Sequence, residues 1–371
     1  MVQRPTENRT VHVLVATPSG TSGKGGIDRV MGVLKRALEL RDGGDVDVRF
    51  IASRGSGHIA FSVFHMANFC LKMLMARIAG RADVVHVNLS VSGSTYRKMV
   101  ITAVARMLGI PYVLHLHGSD YQAFWHEDHS FLSRRIRGMF EHASHVLVLG
   151  RVWHDFIMRR APRAAARITI VPNATERPSL AHRGGGDRVH ILFLGRLGER
   201  KGVPQLIEAL ARMKPLDGWR ATIAGDGEVE ATRATAARSG LADRVVFPGW
   251  VGPDDVASLI AAADILVLPS FAENLPMSVI EGMASGLAVV TTPVGAVEDI
   301  ITDEQSGLLV PPGDVTALTQ ALTRLVEDPT LRARLGEAAT AVHRERLELA
   351  PFAESICDVW KAAAHDKGQR S

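Results

Sequence analysis

Two glutamates, Glu273 and Glu281, lie in the stretch from Leu266 to Val290, and their setting points to chemistry. The apolar run Ile265–Leu268 reads as a buried parallel strand ending at Pro269. A loop then carries Glu273 and Asn274, Pro276 suits the first turn of a helix, and Gly286 suits its stop. Glu281 therefore falls inside the helix and Glu273 just outside its positive end. Backbone N–H groups at such an end attract phosphate, and carboxylates beside it accept hydrogen bonds from sugar hydroxyls. A merely solvated Glu281 fits poorly, because it interrupts an apolar segment where a charge needs a partner. A second set, Gly195-Arg-Leu-Gly-Glu-Arg-Lys-Gly202, follows another apolar strand and precedes a helix. Arg196 and Lys201 can both point at that strand end, where they would neutralise a departing diphosphate as its charge grows. Helix start, acceptors and cations together imply a nucleotide-sugar site.

Other residues are candidates with bland alternatives. Gly25 and Gly26 precede the first helix in Gly20-Thr-Ser-Gly-Lys-Gly-Gly-Ile-Asp28 and permit close backbone approach to a phosphate. That loop is not a Walker loop, because its Gly-Lys is not followed by Ser or Thr. His115-Leu-His-Gly-Ser-Asp120 ends a strand; His117 lies at its tip with Asp120 nearby, and His115 shares its face, so either histidine could serve. Asn173, in Pro172-Asn-Ala174, reads first as a turn or hinge residue. Asp45-Val-Asp47 is formally an Asp-x-Asp pair, but it opens the second strand and reads as a solvated edge. With Arg196 and Lys201 available for a diphosphate, no metal and no cofactor are expected.

These residues need elements to hold them. Strands are expected at Val11–Ala16, Val46–Ala52, Val84–Val87, Tyr112–His117 and His145–Leu149, with helices starting near Asp28, Ala60, Tyr96, Ser130 and Val152. The rhythm repeats with strands at His190–Gly195, Arg220–Ala224, Arg244–Pro248, Ile265–Leu268 and Ala288–Thr291, and helices near Pro204, Val229, Pro253, Met277 and Val315. Such alternation predicts an α/β chain of two Rossmann-like domains, with ligands at the carboxyl ends of parallel strands. The expected domains are residues 1–178 and 188–350, joined through Arg183-Gly-Gly-Gly-Asp187, with an amphipathic helix and tail over 351–371.

Composition is that of a soluble globular protein: 46% hydrophobic and 22% charged over 371 residues. The net charge of +4 is uneven, for residues 1–180 hold 24 Lys and Arg against 13 Asp and Glu. This basic half suggests an anionic surface or acceptor; nucleic acid is not expected, because no reading motif is present. Cys70 and Cys357 read as reduced core residues of a cytosolic protein, and Val11–Ala16 is too short for a secretory core. The apolar segment His58–Ala79 reads as a core helix or one lying on a membrane surface, with Lys72 and Arg77 arguing against a span. Arg134, Arg135 and Arg137 with Phe131, Ile136 and Phe140 form a second basic-apolar segment.

The stretch Ser-Phe-Ala-Glu through Glu-Gly-Met-Ala-Ser-Gly286, with Gly-Arg-Leu...Lys-Gly202 and Pro-Asn-Ala174, resembles retaining glycosyltransferases of family 4 over nearly the whole chain. That resemblance implies the GT-B architecture, two Rossmann-like domains with a cleft between them and a C-terminal helix crossing back to the first. It implies a donor domain holding a nucleoside-diphosphate sugar, with Glu281 on the ribose, Glu273 and Asn274 at the sugar, and Gly249 and Val251 near the base. It places Gly25-Gly26 near the donor phosphates and gives His117, or His115, a site role. The setting it implies is a lipid-linked acceptor in exopolysaccharide or envelope assembly, with the protein peripheral on the inner face of the cytoplasmic membrane. A sugar-nucleotide epimerase of the same fold and a non-catalytic scaffold subunit are the alternatives.

Overall fold

The structure is a computed structural model that describes residues 10–20, 25–41, 43–55, 61–126 and 130–366. Positions 21–24 of the first glycine loop, 58–60 of the apolar segment and the tail from 367 lie outside the described residues. The chain forms two units, residues 1–172 with 349–371, and residues 173–348.

The first unit alternates β1 (Val11–Thr17), α1 (Gly26–Glu39), β2 (Val46–Ala52), α2 (Ser62–Ile78), β3 (Val84–Leu89), α3 (Gly93–Met107) and β4 (Tyr112–Leu116). It continues through the short α4 (Tyr121–Phe124), α5 (Phe131–Glu141), β5 (His145–Val148), α6 (Arg151–Arg160) and β6 (Ile168–Ile170). The second unit runs β7 (Val189–Leu194), α7 (Val203–Arg212), β8 (Trp219–Ala224), α8 (Val229–Arg238), β9 (Val245–Gly249), α9 (Pro253–Ala261) and β10 (Ile265–Leu268). It ends with α10 (Met277–Ala284), β11 (Ala288–Thr291), β12 (Leu308–Leu309), α11 (Val315–Glu327) and α12 (Pro329–Arg346). The last helix, α13 (Leu349–Asp366), belongs to the first unit.

Each unit has one six-stranded sheet, ordered β2-β1-β3-β4-β5-β6 and β12-β11-β10-β7-β8-β9, and every pairing is parallel. Strands covered on both faces are mostly apolar: Ile265–Leu268 is apolar and buried at every position, and Val84–Leu89 is buried at every position with His86 and Asn88 as its polar members. In both sheets the winding reverses beside the first strand, between β1 and β3 and between β7 and β10. Those reversal points are where open parallel sheets leave a crevice for ligand.

Local details refine these expectations. Pro276 is the residue before α10 rather than part of its first turn, and Gly286 takes the left-handed conformation (φ 74°) that stops the helix. The glycine-rich stretch is fixed to the second unit, with the Gly185 and His190 amides donating to Asp264 Oδ2. α13 is tied down in the first unit, where the Trp360 indole donates to His86 Nδ1 at 3.0 Å. Asp45 is not a solvated edge. Arg41 bonds both its oxygens at 2.7 and 2.9 Å and Lys361 closes on it, which together hold its carboxyl down to about 2. Asp47 bonds His12 at 2.9 Å, so both carboxylates of the Asp-x-Asp pair are already engaged by cationic or imidazole groups. Of the cysteines only Cys357 is core; Cys70 is half-buried, and both are free.

Candidate active site

The second unit's winding reversal is built around Lys201 and Glu273. Lys201 ends a short 3-10 turn, Glu199–Lys201, after β7, and Glu273 sits in the loop after β10. Their side chains form a close ion pair, and Ser270 Oγ donates to the same carboxylate oxygen at 2.8 Å. Glu273 is 8% exposed, so its charge is held by these two partners rather than by water. Thr292, after β11, donates to the Ser270 carbonyl at 2.6 Å and so carries β11 into the support. The two partners of the Glu273 carboxylate, Lys201 and Ser270, meet at Oε1.

The loops around the pair are held at closest approach by backbone. Gly202 has φ 69°, and a Cβ there would meet the Pro269 carbonyl oxygen at 2.0 Å. Gly295 has φ 62°, and a Cβ would meet the Glu273 carbonyl oxygen at 2.2 Å. The Ala296 amide donates to the Asn274 carbonyl at 2.7 Å, and the buried Asn173 side chain donates to the Leu275 carbonyl at 2.8 Å. Asn173 thus braces the loop before α10, a structural post consistent with its turn reading.

The remaining candidates of this unit are near but differently held. Arg196 is exposed in the loop after β7, 3.6 Å from Asp226 of the loop after β8. The Leu197 amide bonds the Asp226 carbonyl at 2.7 Å, which locks the two loops together. Gly249 ends β9 with φ 77° and open space where a side chain would be, and half-buried Val251 follows it. Asn274 is buried beside Glu273, and half-buried Glu281 sits in the second turn of α10.

In the first unit, His86, Asn88, His115 and His117 line one face of β3 and β4. His115 is fully buried, with its ring 5.3 Å from that of His86 and 4.0 Å from that of His117. Neither of its ring nitrogens has a hydrogen-bond partner among the described residues. Half-buried His117 stands at the strand tip, with Nε2 bonded to Asn88 Oδ1 at 2.9 Å. Burial, aided by neighbouring imidazoles, pushes the ring of His115 well below its ordinary range, and that of His117 down to about 3. His86 is pushed down to about 4 by burial. All three are neutral at pH 7. The accessible histidine is therefore His117, and His115 is core. Gly25 caps α1 and Gly26 begins it, with open space at Gly26.

Ser270, Thr292 and Asn88 were not among the sequence candidates. Ser270 had a usable signal, since it lies two residues past the end of β10 and three before Glu273; Thr292 and Asn88 join only through sheet register.

Residues 4–174 match the family described as Glycosyl transferase 4-like domain, and residues 188–328 match Glycosyl transferases group 1. The chain is 31% identical over 271 residues to the 2-deoxystreptamine N-acetyl-D-glucosaminyltransferase of Streptomyces fradiae, spanning 67% of this chain and 63% of the relative. It is 36% identical over 148 residues to the lipopolysaccharide core biosynthesis glycosyltransferase LpsE of Rhizobium meliloti, 40% of this chain and 42% of the relative. Among solved structures, Anabaena HepE in complex with UDP and glucose superposes with a TM-score of 0.74 at 19% identity, covering 95% of this chain and 100% of that one. Fold and family matches together define a glycosyltransferase of the GT-B class.

Proposed function

We propose that this glycosyltransferase moves a sugar from a nucleoside-diphosphate donor to an acceptor hydroxyl with retention at the anomeric carbon and without a metal. The carrying observation is the Lys201–Glu273 pair, buried at the second sheet's winding reversal and braced by Ser270. Lys201 and Arg196 supply positive charge for the diphosphate, which the departing group needs as the anomeric C–O bond breaks and the electron pair moves to phosphate. Glu273, with Oε1 held, offers Oε2 to the sugar hydroxyls together with Asn274. Glu281 takes the ribose hydroxyls, and Gly249 and Val251 lie by the base. In a front-face reaction the acceptor oxygen bonds the anomeric carbon from the side the phosphate leaves, and its proton passes to a phosphate oxygen. Within the first unit, Gly25 and Gly26 keep the start of α1 free of side chains, and neutral His117 is able to donate or accept one hydrogen bond. Glycosyltransferases among the curated relatives favour this over an epimerase or a silent scaffold.

The acceptor we propose is a lipid-linked saccharide, met at the inner face of a membrane. Support comes from α2, which buries Phe69 and Met73 but leaves Phe64, Leu71, Met75 and Ile78 at 55–79% exposure. Together with the basic balance of residues 1–180, this face has the chemistry of an interfacial helix. No helix among the described residues is long and apolar enough to cross a membrane. The test is a panel of nucleotide sugars read by thermal stabilisation, followed by proton NMR of product anomers made in EDTA. An inverted anomer, or loss of turnover restored by a divalent cation, would overturn the mechanism.

A further inference from the structure

Three cations gather at the strand ends of the first unit with little to neutralise them. Lys98, on α3, is 2% exposed, and its Nζ donates to Ser53 Oγ just past β2. Ser53 in turn donates to the Thr17 carbonyl at 2.7 Å, so the lysine is anchored by a neutral hydroxyl on a bonded backbone. Arg97 precedes it on α3, half-buried, and its Nε is enclosed without a hydrogen-bond partner among the described residues. Arg54 follows Ser53 and is exposed. These charges feel one another: Arg54 acts on Arg97, and Arg97 on Lys98. Among the described residues, the carboxylate that acts on them is Asp28 of α1, itself buried and accepting the Ser19 amide at 2.9 Å. Burial and the neighbouring Arg97 push Lys98 down to about 7.

A lysine is almost never fully buried unless paired, and Arg54, Arg97 and a partly protonated Lys98 against Asp28 leave a positive surplus among the described residues that burial penalises at Lys98 and Arg97. Two guanidinium forks and an ammonium match the oxygens of a phosphate monoester or diphosphate, which carries about two negative charges. Arg54 comes from the segment following β2, Arg97 and Lys98 from the segment following β3, and Asp28 from the segment following β1, so they flank the first sheet's winding reversal. We infer that Arg54, Arg97 and Lys98 form a phosphate-binding subsite for the acceptor. The acceptor is thus a phosphorylated saccharide, whether on a lipid or in solution, and not a cationic aminocyclitol. This rests on the glycosyltransferase reading of the same chain.

The experiment compares the wild type with Arg54→Gln/Arg97→Gln, which leaves buried Lys98 in place. UDP binding is measured first by calorimetry and should be equal in both proteins; if neither binds UDP, the donor reading fails, and the phosphate subsite is still decided by the acceptor-probe titrations. With UDP present, glucose 1-phosphate and phosphatidylcholine vesicles carrying phosphatidic acid are titrated. At least tenfold weaker binding of either probe to the double variant is expected. A difference with glucose 1-phosphate identifies a soluble sugar phosphate as competent; a difference with vesicles alone identifies a lipid phosphate. Equal affinity of both proteins for both probes overturns the subsite, as does binding of glucose or 2-deoxystreptamine as tight as that of glucose 1-phosphate.

Discussion

The two winding reversals of this chain are alike in topology and opposite in electrostatics. Between β7 and β10 a cation and a carboxylate face each other, and Ser270 and Thr292 hold the geometry. Between β1 and β3 cations outnumber carboxylates among the described residues, and β4 nearby carries the neutral imidazoles of His115 and His117. A paired site keeps its shape by itself and is preorganised for charge that develops during reaction. A site with unmatched cations leaves a positive surplus that an anion can neutralise. The same sheet topology therefore carries two electrostatic settings, decided by which side chains meet at the reversal.

The sharpest way to break this comparison is to remove a charged group from the second unit's candidate site, either Lys201 of the pair or Glu281 of α10. Lys201→Ala and Glu281→Ala should each lower kcat/KM by an amount equivalent to about 2–4 kcal/mol, the scale of a lost electrostatic group. Near-normal turnover in a folded variant of either kind would dismantle the donor site proposed for the second unit. A backbone change should act on stability instead. Gly202→Ala forces a left-handed alanine into the Pro269 carbonyl, and we expect about 2–3 kcal/mol of destabilisation in denaturant titrations. Unchanged midpoints would mean that the close approach of the two loops is not needed.

In the first unit the buried imidazoles should make stability sensitive to acid. Their folded values lie below the ordinary one near 6.5, so this contribution is complete above about pH 6.5 and is lost as pH falls towards about 4. Each proton taken up on unfolding contributes a slope of about 1.4 kcal/mol per pH unit. His190 and His343 of the second unit are also shifted down, so the difference between proteins is what matters. His115→Leu should flatten the stability curve between pH 6.5 and 5 by up to about one proton's worth; parallel curves would show that His115 ionises in the folded state. The smallest effect concerns the surface. Phe64→Ser and Met75→Ser should each weaken co-sedimentation with anionic liposomes by about 1 kcal/mol, with binding reduced by salt. Wild-type binding that ignores lipid charge would remove the electrostatic half of that account.

The amino-acid sequence determined the two Rossmann-like units, because continuous apolar runs such as Ile265–Leu268 and Ala288–Thr291 suit only strands covered on both faces. Both runs begin and end at the expected residues. It also named Lys201 and Glu273, since strand-end positions follow from where an apolar run stops. Elements without that contrast were less legible: β12 is two residues long, and α12 carries charges around its circumference, although Asp328-Pro329 is a start signal and Asp328 does cap it at 2.9 Å.

Side-chain partnership was decided by tertiary structure alone. Lys201 and Glu273 belong to loops far apart in the chain and meet because β7 and β10 are neighbours in the sheet. Asp45 looked free in sequence and is claimed by Arg41 and by Lys361 of the last helix. His115 and His117 share a face in any strand, and only the packing of His86 and Trp360 behind them buries one and leaves the other at the tip. Lys98 sits in a helix whose sequence gives no reason to bury a lysine; β2 places Ser53 opposite it and α1 places Asp28 near it. Local sequence encodes period and termination, which depend on adjacent residues. Charge pairing and burial depend on residues brought together by strand order, and that is a property of the folded chain.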